Sequence, residues 1–169
     1  RGDVYRDRIR RLREAMEAGD TAKADRMKKQ LPYHTITATY VKERLAYSLD
    51  KYQDIITVDC DDMPAEKLPE FRQLANDCPD TLGSFISPRM HGLKIFVYLT
   101  GKEAEALRAE LNALGTVDFP TLERYHHRMY ALASSKYETL LNTKVDTSGS
   151  DPGRGFFVSH DPDAFFAPE

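Results

Sequence analysis

The most constraining feature of this sequence is a short β-branched run that ends in acids, Ile55-Ile56-Thr57-Val58-Asp59-Cys60-Asp61-Asp62. Such residues favour a strand, and Met63-Pro64 directly after the run would end it. Because alternate side chains of a strand share a face, Asp59 and Asp61 point to one side and Cys60 to the opposite layer. Two like charges at the end of a buried strand are costly without a cation between them. The run therefore predicts a Mg²⁺ or Mn²⁺ site, and most such sites handle phosphates.

A second interpretation of the same acids is structural. Pro64 suits the first turn of a helix, and Asp61 or Asp62 would then cap that helix with a carboxylate oxygen.

The polar loop Ser87-Pro88-Arg89-Met90-His91-Gly92-Leu93-Lys94 feeds a strong strand, Ile95-Phe96-Val97-Tyr98-Leu99. Ser87 and backbone N–H groups can hold phosphate oxygens, and Lys94 can add a positive charge. Taken alone, the loop is better explained as a hairpin turn with a solvent-facing lysine. We expect His91 to be a surface histidine.

A third segment, Val145 to Phe157, offers Asp146, a Gly-rich loop and then Arg154 at the entry to a strand. Arginine suits planar, bidentate recognition of phosphate. The alternative is a solvent loop in which Asp146 makes an Asx-turn. His126 and His127 are adjacent on a long helix and point in different directions, so they predict a helix surface and its boundary rather than a metal pair.

The hydrophobic pattern predicts an α/β layered domain of the α+β kind, with a central mixed or antiparallel sheet, flanking helices and a helical N-terminus (1–31) packed on it. Helices are expected over 3–18, from 20 or 21 toward 31, after Pro64, from about 100 to 114 and from Pro120 to about 141. Strands are expected over 35–41, 55–61, 81–87, 93–100 and 156–159.

Composition fits one domain of 169 residues, with 41% hydrophobic and 30% charged residues. No apolar run approaches the ~20 residues that span a bilayer and no signal-peptide pattern is present, so we expect no membrane partner. The cysteines Cys60 and Cys78 fit a reducing cytoplasm and no zinc pattern. Since the sequence begins at Arg1, we expect a piece of a larger protein.

Charge is unevenly spread along the chain. The net charge of −3 argues against indiscriminate nucleic-acid binding, although residues 1–30 hold ten Lys or Arg against six Asp or Glu. A basic N-terminal helix that meets phosphates is one interpretation of this excess; a solvated helix face with i,i+4 pairs is the preferred one.

Together the three segments resemble the N-terminal domain of virulence-protein-E-type replication proteins of bacterial mobile elements. The opening also fits, since residues 10–31 end in Lys28-Lys29-Gln30-Leu31-Pro32. That family in turn resembles the archaeo-eukaryotic primase-polymerase superfamily. The loop departs from the superfamily pattern, because Arg89-Met90 stands where Ser-Gly is expected and Lys94 where classical primases have His.

The resemblance implies a metal-dependent nucleotidyltransferase domain of a mobile-element or plasmid replication protein. Its expected partners are a nucleoside triphosphate, a DNA template and a C-terminal helicase-like domain of the parent protein. Asp59, Asp61 and Asp146 would hold Mg²⁺ or Mn²⁺. By the same resemblance, the incoming nucleotide would be bound by Ser87, Gly92, Lys94 and Arg154.

Two other functions remain open. One is a non-catalytic module of the same family that binds DNA or docks a helicase. The other is a haloacid-dehalogenase-like phosphatase with Asp59 as nucleophile and Asp61 as acid, although Met63 stands where such enzymes usually have Thr or Val.

Overall fold

The computed structural model describes residues 5–168, which form five α-helices and eight short strands. The helices are α1 Arg6–Glu17, α2 Thr21–Lys29, α3 Leu68–Asp77, α4 Lys102–Ala113 and α5 Phe119–Leu141. The strands are β1 Tyr33–Thr35, β2 Ala38–Tyr40, β3 Leu49–Tyr52, β4 Ile56–Cys60, β5 Thr81–Ile86, β6 Leu93–Val97, β7 Gly155–Phe157 and β8 Phe165–Phe166.

All strand pairs in the described part of the chain are antiparallel, which confirms the predicted α+β class. The largest sheet has four strands in the order β4-β6-β5-β8. β5 and β6 form a hairpin through the loop 87–92, and β4 pairs with the far side of β6. This register places Asp59 of β4 directly opposite Lys94 of β6.

The two faces of β4 have different surroundings. Ile56, Val58 and Cys60 join the main hydrophobic core with residues of α3, α4 and α5. Cys60 therefore points away from the acids, and burial raises the pKa of its thiol to about 12. Because a thiol reacts as its thiolate, Cys60 is a packing residue rather than a nucleophile.

The N-terminal helices form a hairpin with a small core of its own. Gly19 supplies the positive φ of the turn (+76°), and Asp20 caps α2 by accepting a hydrogen bond from the Lys23 N–H. The apolar face of the hairpin packs against Phe157 of β7. Arg13 attaches the hairpin to the rest of the domain by donating to the carbonyl oxygens of Pro88 and His160. Both helices match the prediction; residues 3 and 4 of the predicted first helix lie outside the described residues.

The single strand predicted over 35–41 is wrong. The chain forms β1 and β2, which belong to different sheets, with a bend between them. The buried Thr37 hydroxyl at this bend donates to the Ile55 carbonyl (2.7 Å), and Thr35 donates to the Ala38 carbonyl (2.7 Å). Threonine thus bonds the backbone locally instead of extending one strand.

Asp61 and Asp62 do not cap a helix, so that interpretation is also wrong. After β4 the chain turns sharply, with Asp62 at a positive φ of 53°. Residues 65–67 form one 3₁₀ turn, and α3 begins only at Leu68, without a side-chain cap. The Asp61 carboxylate is therefore not used by a helix end.

The longest helix, α5, has 23 residues. Asp118 caps its start, and Asn142 ends it in the left-handed conformation. Between residues 5 and 168, neither α5 nor any other helix combines the length and apolar character needed to cross a membrane.

The segment after α5 returns to the outer edge of β4. The Asp146 N–H donates to the Asp59 carbonyl (2.8 Å). The short 3₁₀ turn that follows, Thr147–Ser150, brings Gly149 against the strand, and a Cβ at Gly149 would lie 2.4 Å from the Thr57 carbonyl oxygen. Only glycine permits this approach, because the obstacle is backbone.

Replacing Gly149 by Ala should push the 146–150 turn off β4. We expect a loss of about 1–3 kcal/mol in the free energy of unfolding, because the added methyl meets backbone that cannot rotate away. Urea denaturation measures this. Ser150→Ala in the same turn is the matched control and should change stability by less than about 0.5 kcal/mol; equal losses in the two variants would contradict the packing argument.

Candidate metal site

Three carboxylates converge beside the end of β4. One oxygen each from Asp59, Asp61 and Asp146 lies within 4.8 Å of the other two. Asp59 is the penultimate residue of β4, and Asp61 comes directly after the strand. Asp146 lies in the segment that follows α5. Three hard oxygen donors at this separation match what Mg²⁺ and Mn²⁺ require of a protein site.

Asp59 is the deepest of the three acids, with only 4% of the residue exposed. Its Oδ2 accepts a hydrogen bond from the Lys94 ammonium. Its Oδ1 is buried and has no hydrogen-bond partner within the described chain. A buried carboxylate oxygen without a partner is costly, so this atom marks a position where a ligand would be stabilising.

Lys94 lies among the acids. Besides its hydrogen bond to Asp59, its Nζ is 3.9 Å from Oδ1 of Asp61. Burial, together with the nearby charges of Lys28 and Arg154, lowers the pKa of Lys94 to about 7, while Asp146 acts in the opposite direction. The side chain predicted to hold a nucleotide therefore acts, in this structure, as the counter-charge of the acid pair.

Asp61 is the open member of the cluster, with about half of its side chain exposed (53%). Partial burial raises its pKa, and the neighbouring charges of Asp146 and Asp62 raise it further, against the opposing charges of Lys28 and Arg89. Mutual repulsion of this kind is relieved when a cation binds between the acids.

Asp146 does make the Asx-turn considered as an alternative, and it also joins the acid cluster. Its carboxylate accepts from the Ser148 N–H (3.0 Å) and hydroxyl (2.8 Å), and Arg154 lies 3.7 Å away. Burial by itself would raise the pKa of Asp146, but the Ser148 hydrogen bonds and the charges of Arg154 and Lys94 lower it overall. Asp146 is thus held ionised and in a fixed orientation.

The two remaining predicted nucleotide ligands have backbone roles. Ser87 and Gly92 close the β5–β6 hairpin through a 2.9 Å hydrogen bond from the Ser87 N–H to the Gly92 carbonyl. A Cβ at Gly92 would lie 2.7 Å from the Cys60 carbonyl oxygen. Gly92 therefore lets the hairpin loop approach the acids. His91 is exposed, as expected.

The expectation that His126 lies at a helix surface is wrong. His126 is completely buried, with Nδ1 2.9 Å from the Tyr52 hydroxyl and Nε2 3.0 Å from the Gly149 carbonyl. Since a carbonyl only accepts, Nε2 carries the proton and Nδ1 accepts from Tyr52. His127 is exposed.

His126 and Tyr130 are supporting residues that the sequence interpretation missed. The Tyr130 hydroxyl donates to the Asp146 carbonyl (2.6 Å), so the two side chains hold both ends of the turn that carries Asp146. The sequence does indicate this placement. Leu122, His126 and Tyr130 are spaced four residues apart, so all three lie on one face of α5, and Leu122 is buried.

Comparison with known proteins identifies the family. Residues 26–166 match the family described as "BT4734-like, N-terminal domain", which covers more than half of the chain, so the chain belongs to that family. No curated protein and no solved structure matches it.

The resemblance to virulence-protein-E-type domains, and through them to the primase-polymerase superfamily, is therefore wrong: the family that matches is a different one. The segments behind the resemblance were an acid pair at a strand end, a hairpin loop with glycine and lysine, and a later acid. Each of these short motifs places charge beside a sheet, and unrelated protein families contain them, so they do not identify a family.

A buried neutral histidine makes stability depend on pH. Burial lowers the pKa of His126 below its ordinary value. The unfolded chain then binds a proton first as pH falls below about 6.5, so this contribution to stability is present at neutral pH and lost on acidification. We expect His126→Gln to be less stable at pH 7.5 by about 1–3 kcal/mol and to lose part of the decline between pH 7 and 5.5.

Urea denaturation of wild type and variants across that pH range measures both effects. The exposed neighbour provides the control, because His127→Gln should keep the wild-type pH profile. If the two glutamine variants gave the same profile, the role of the His126 contacts would be refuted.

Proposed function

We propose that this BT4734-like N-terminal domain binds Mg²⁺ or Mn²⁺ through Asp59, Asp61 and Asp146 and catalyses nucleotidyl transfer from a nucleoside triphosphate. The observation that carries the proposal is that Asp59, whose buried Oδ1 has no hydrogen-bond partner within residues 5–168, belongs to a cluster of three carboxylates. Acidic clusters alone are common on protein surfaces; a buried and unsatisfied member is not.

The donor set fits the metal. All three side chains offer carboxylate oxygens, none offers sulfur or imidazole, and such sets select Mg²⁺ or Mn²⁺ over zinc. When bound there, the ion would neutralise charge on phosphate oxygens and lower the pKa of an attacking hydroxyl.

The protein's own residues support phosphoryl chemistry in two ways. Lys94 and Arg154 place positive charge within 4 Å of the acids, where it offsets the repulsion between carboxylates and an approaching polyanion. The buried position of Asp59 and the fixed Asx-turn of Asp146 hold two of the acids in place before substrate arrives. Preorganised charge of this kind is usually the largest contribution to catalysis.

The DNA template, the helicase-like partner domain and the role in mobile-element replication stay predictions, as does the cytoplasmic location. No structural observation favours the phosphatase alternative. An Asp59 nucleophile would have to reach phosphorus, yet Asp59 is almost fully buried and bonded to Lys94. Assays of metal binding and of nucleotide incorporation distinguish the phosphatase and the non-catalytic module from the proposed nucleotidyltransferase.

Metal binding can be tested through stability. Lys94→Met leaves the buried Asp59 without its counter-charge, so the metal-free variant should lose ~3 kcal/mol of stability. Saturating Mn²⁺ supplies that charge, so Mn²⁺ should raise the melting temperature of Lys94→Met by more than that of wild type. Thermal unfolding with and without Mn²⁺ measures the difference.

Asp59→Asn should abolish the Mn²⁺ response. Asp62→Asn, an adjacent acid outside the cluster, is the matched control and should keep it. Equal responses of the two asparagine variants would show that Asp59 holds no metal.

Catalysis can be tested with labelled nucleoside triphosphates, Mn²⁺ and primed or single-stranded DNA. We expect incorporation by wild type and Asp62→Asn, and a fall of at least about 10²-fold in Asp59→Asn/Asp61→Asn, because ligand loss removes charge stabilisation of the transition state. Turnover of a small phosphomonoester without incorporation would instead identify a phosphatase. DNA binding that survives the Asp substitutions, with no turnover in either assay, would identify a non-catalytic module.

A further inference from the structure

One face of α2 contacts the β5–β6 loop and β7, two elements that lie beside the acid cluster. Asp25 and Lys28 are three residues apart and so share a helix face. Asp25 accepts from Nη1 of Arg89 (3.0 Å), which joins α2 to the loop between β5 and β6. The Nζ of Lys28 lies 5.4 Å from the ring centre of Phe157 on β7, three residues after Arg154. Helix, loop and strand therefore meet at Lys28.

Lys28 is a half-buried cation without an ion pair. No carboxylate within the described residues forms an ion pair with its Nζ, which lies over the uncharged ring of Phe157. Burial lowers the pKa of Lys28, and the positive charge of Arg89 lowers it as well, while the charges of Asp61 and Asp25 act in the opposite direction. The surroundings therefore disfavour the charge that Lys28 carries at neutral pH.

Two further cations border the same acids. The Lys94 Nζ lies 3.9 Å from Asp61, and the Arg154 guanidinium lies 3.7 Å from Asp146. Each of these cations, like Arg89 beside Asp25, has an acid as its partner, whereas Lys28 has none within the described residues. A cation held near an acid cluster without an acid of its own is placed to meet an anionic ligand.

We infer that Lys28, together with Arg89 and Arg154, forms a rim that binds the outer phosphates of a polyphosphate whose inner phosphate lies at the acid cluster. The inference rests on the proposed function and deepens it. A single phosphate is small enough to be held by a metal ion at the acid cluster and by Lys94 alone. A chain of phosphates would also reach Lys28 on α2, Arg89 in the β5–β6 loop and Arg154 before β7. The substrate class is therefore a nucleoside triphosphate rather than a phosphomonoester, and the α1–α2 hairpin is part of the site.

The test uses inorganic tripolyphosphate and orthophosphate as probes, titrated into the full chain with Mg²⁺ present. Lys28→Met keeps the apolar stem over Phe157 and removes the charge. We expect it to weaken tripolyphosphate binding at least about tenfold, in line with loss of one charge-assisted contact, and to change orthophosphate binding less than about twofold. Lys29→Met, the exposed neighbour, should bind both probes as wild type does.

Thermal unfolding of the same variants supplies a second readout. Removing a cation from surroundings that disfavour it should raise the melting temperature of Lys28→Met above that of wild type in the absence of ligand, whereas a structural role for the ammonium would lower it. Weaker tripolyphosphate binding together with a higher melting temperature supports the rim.

Three results would overturn the rim. The first is an unchanged tripolyphosphate affinity in Lys28→Met, and the second is an equal loss of tripolyphosphate affinity in Lys28→Met and Lys29→Met. The third is a Lys28→Met variant that loses oligonucleotide binding but keeps tripolyphosphate binding. The last would place a nucleic-acid backbone on the rim. The metal site is judged separately by the Mn²⁺ response of Asp59→Asn, so the rim can fail while the proposed function stands.

Discussion

The cross-strand pair of Asp59 and Lys94 is the interaction on which the arrangement of this domain depends. A carboxylate at this depth is tolerated because the antiparallel register of β4 and β6 sets an ammonium opposite it. A slip of β4 by one residue against β6 would turn Asp59 into the hydrophobic core, away from Lys94, and expose Val58. The charged face is then closed by the turn after Asp146 on one side and by α2 with the β5–β6 loop on the other, so each neighbouring element brings either an acid or a cation.

Local patterns were enough to predict most of the elements. The helical stripes of α1 and α5, the hairpin of β5 and β6, and the β-branched run of β4 all agree with the structure, because period and turn chemistry act within a few residues. Predictions failed where distant contacts decide. Thr37 bends the chain because the Ile55 carbonyl lies beside it, and β8 exists because β5 offers it an edge. Neither partner can be identified from the segment itself.

The candidate site divides in the same way. That Asp59 and Asp61 lie together follows from their spacing at a strand end, whereas the arrival of Asp146 depends on a hydrogen bond between residues far apart in sequence. The position of Lys94 among the acids requires the β4–β6 register. The burial of His126 follows from its four-residue spacing to Leu122 on one face of α5, whereas its adjacency to His127 carries no information about burial. The family resemblance failed for a related reason: short charged motifs specify local chemistry but not descent.

The glycine-mediated contact of the 146–150 turn with β4 has a consequence for the behaviour of this protein at high concentration. β4 is an outer strand of its sheet, and unpaired outer strands recruit strands from other molecules. The turn lies along that exposed side, so the segment that carries the third acid also keeps β4 from pairing between copies. A more mobile turn would therefore have a second cost, because each movement of the turn away from β4 would expose the strand edge to pairing with another copy of the protein.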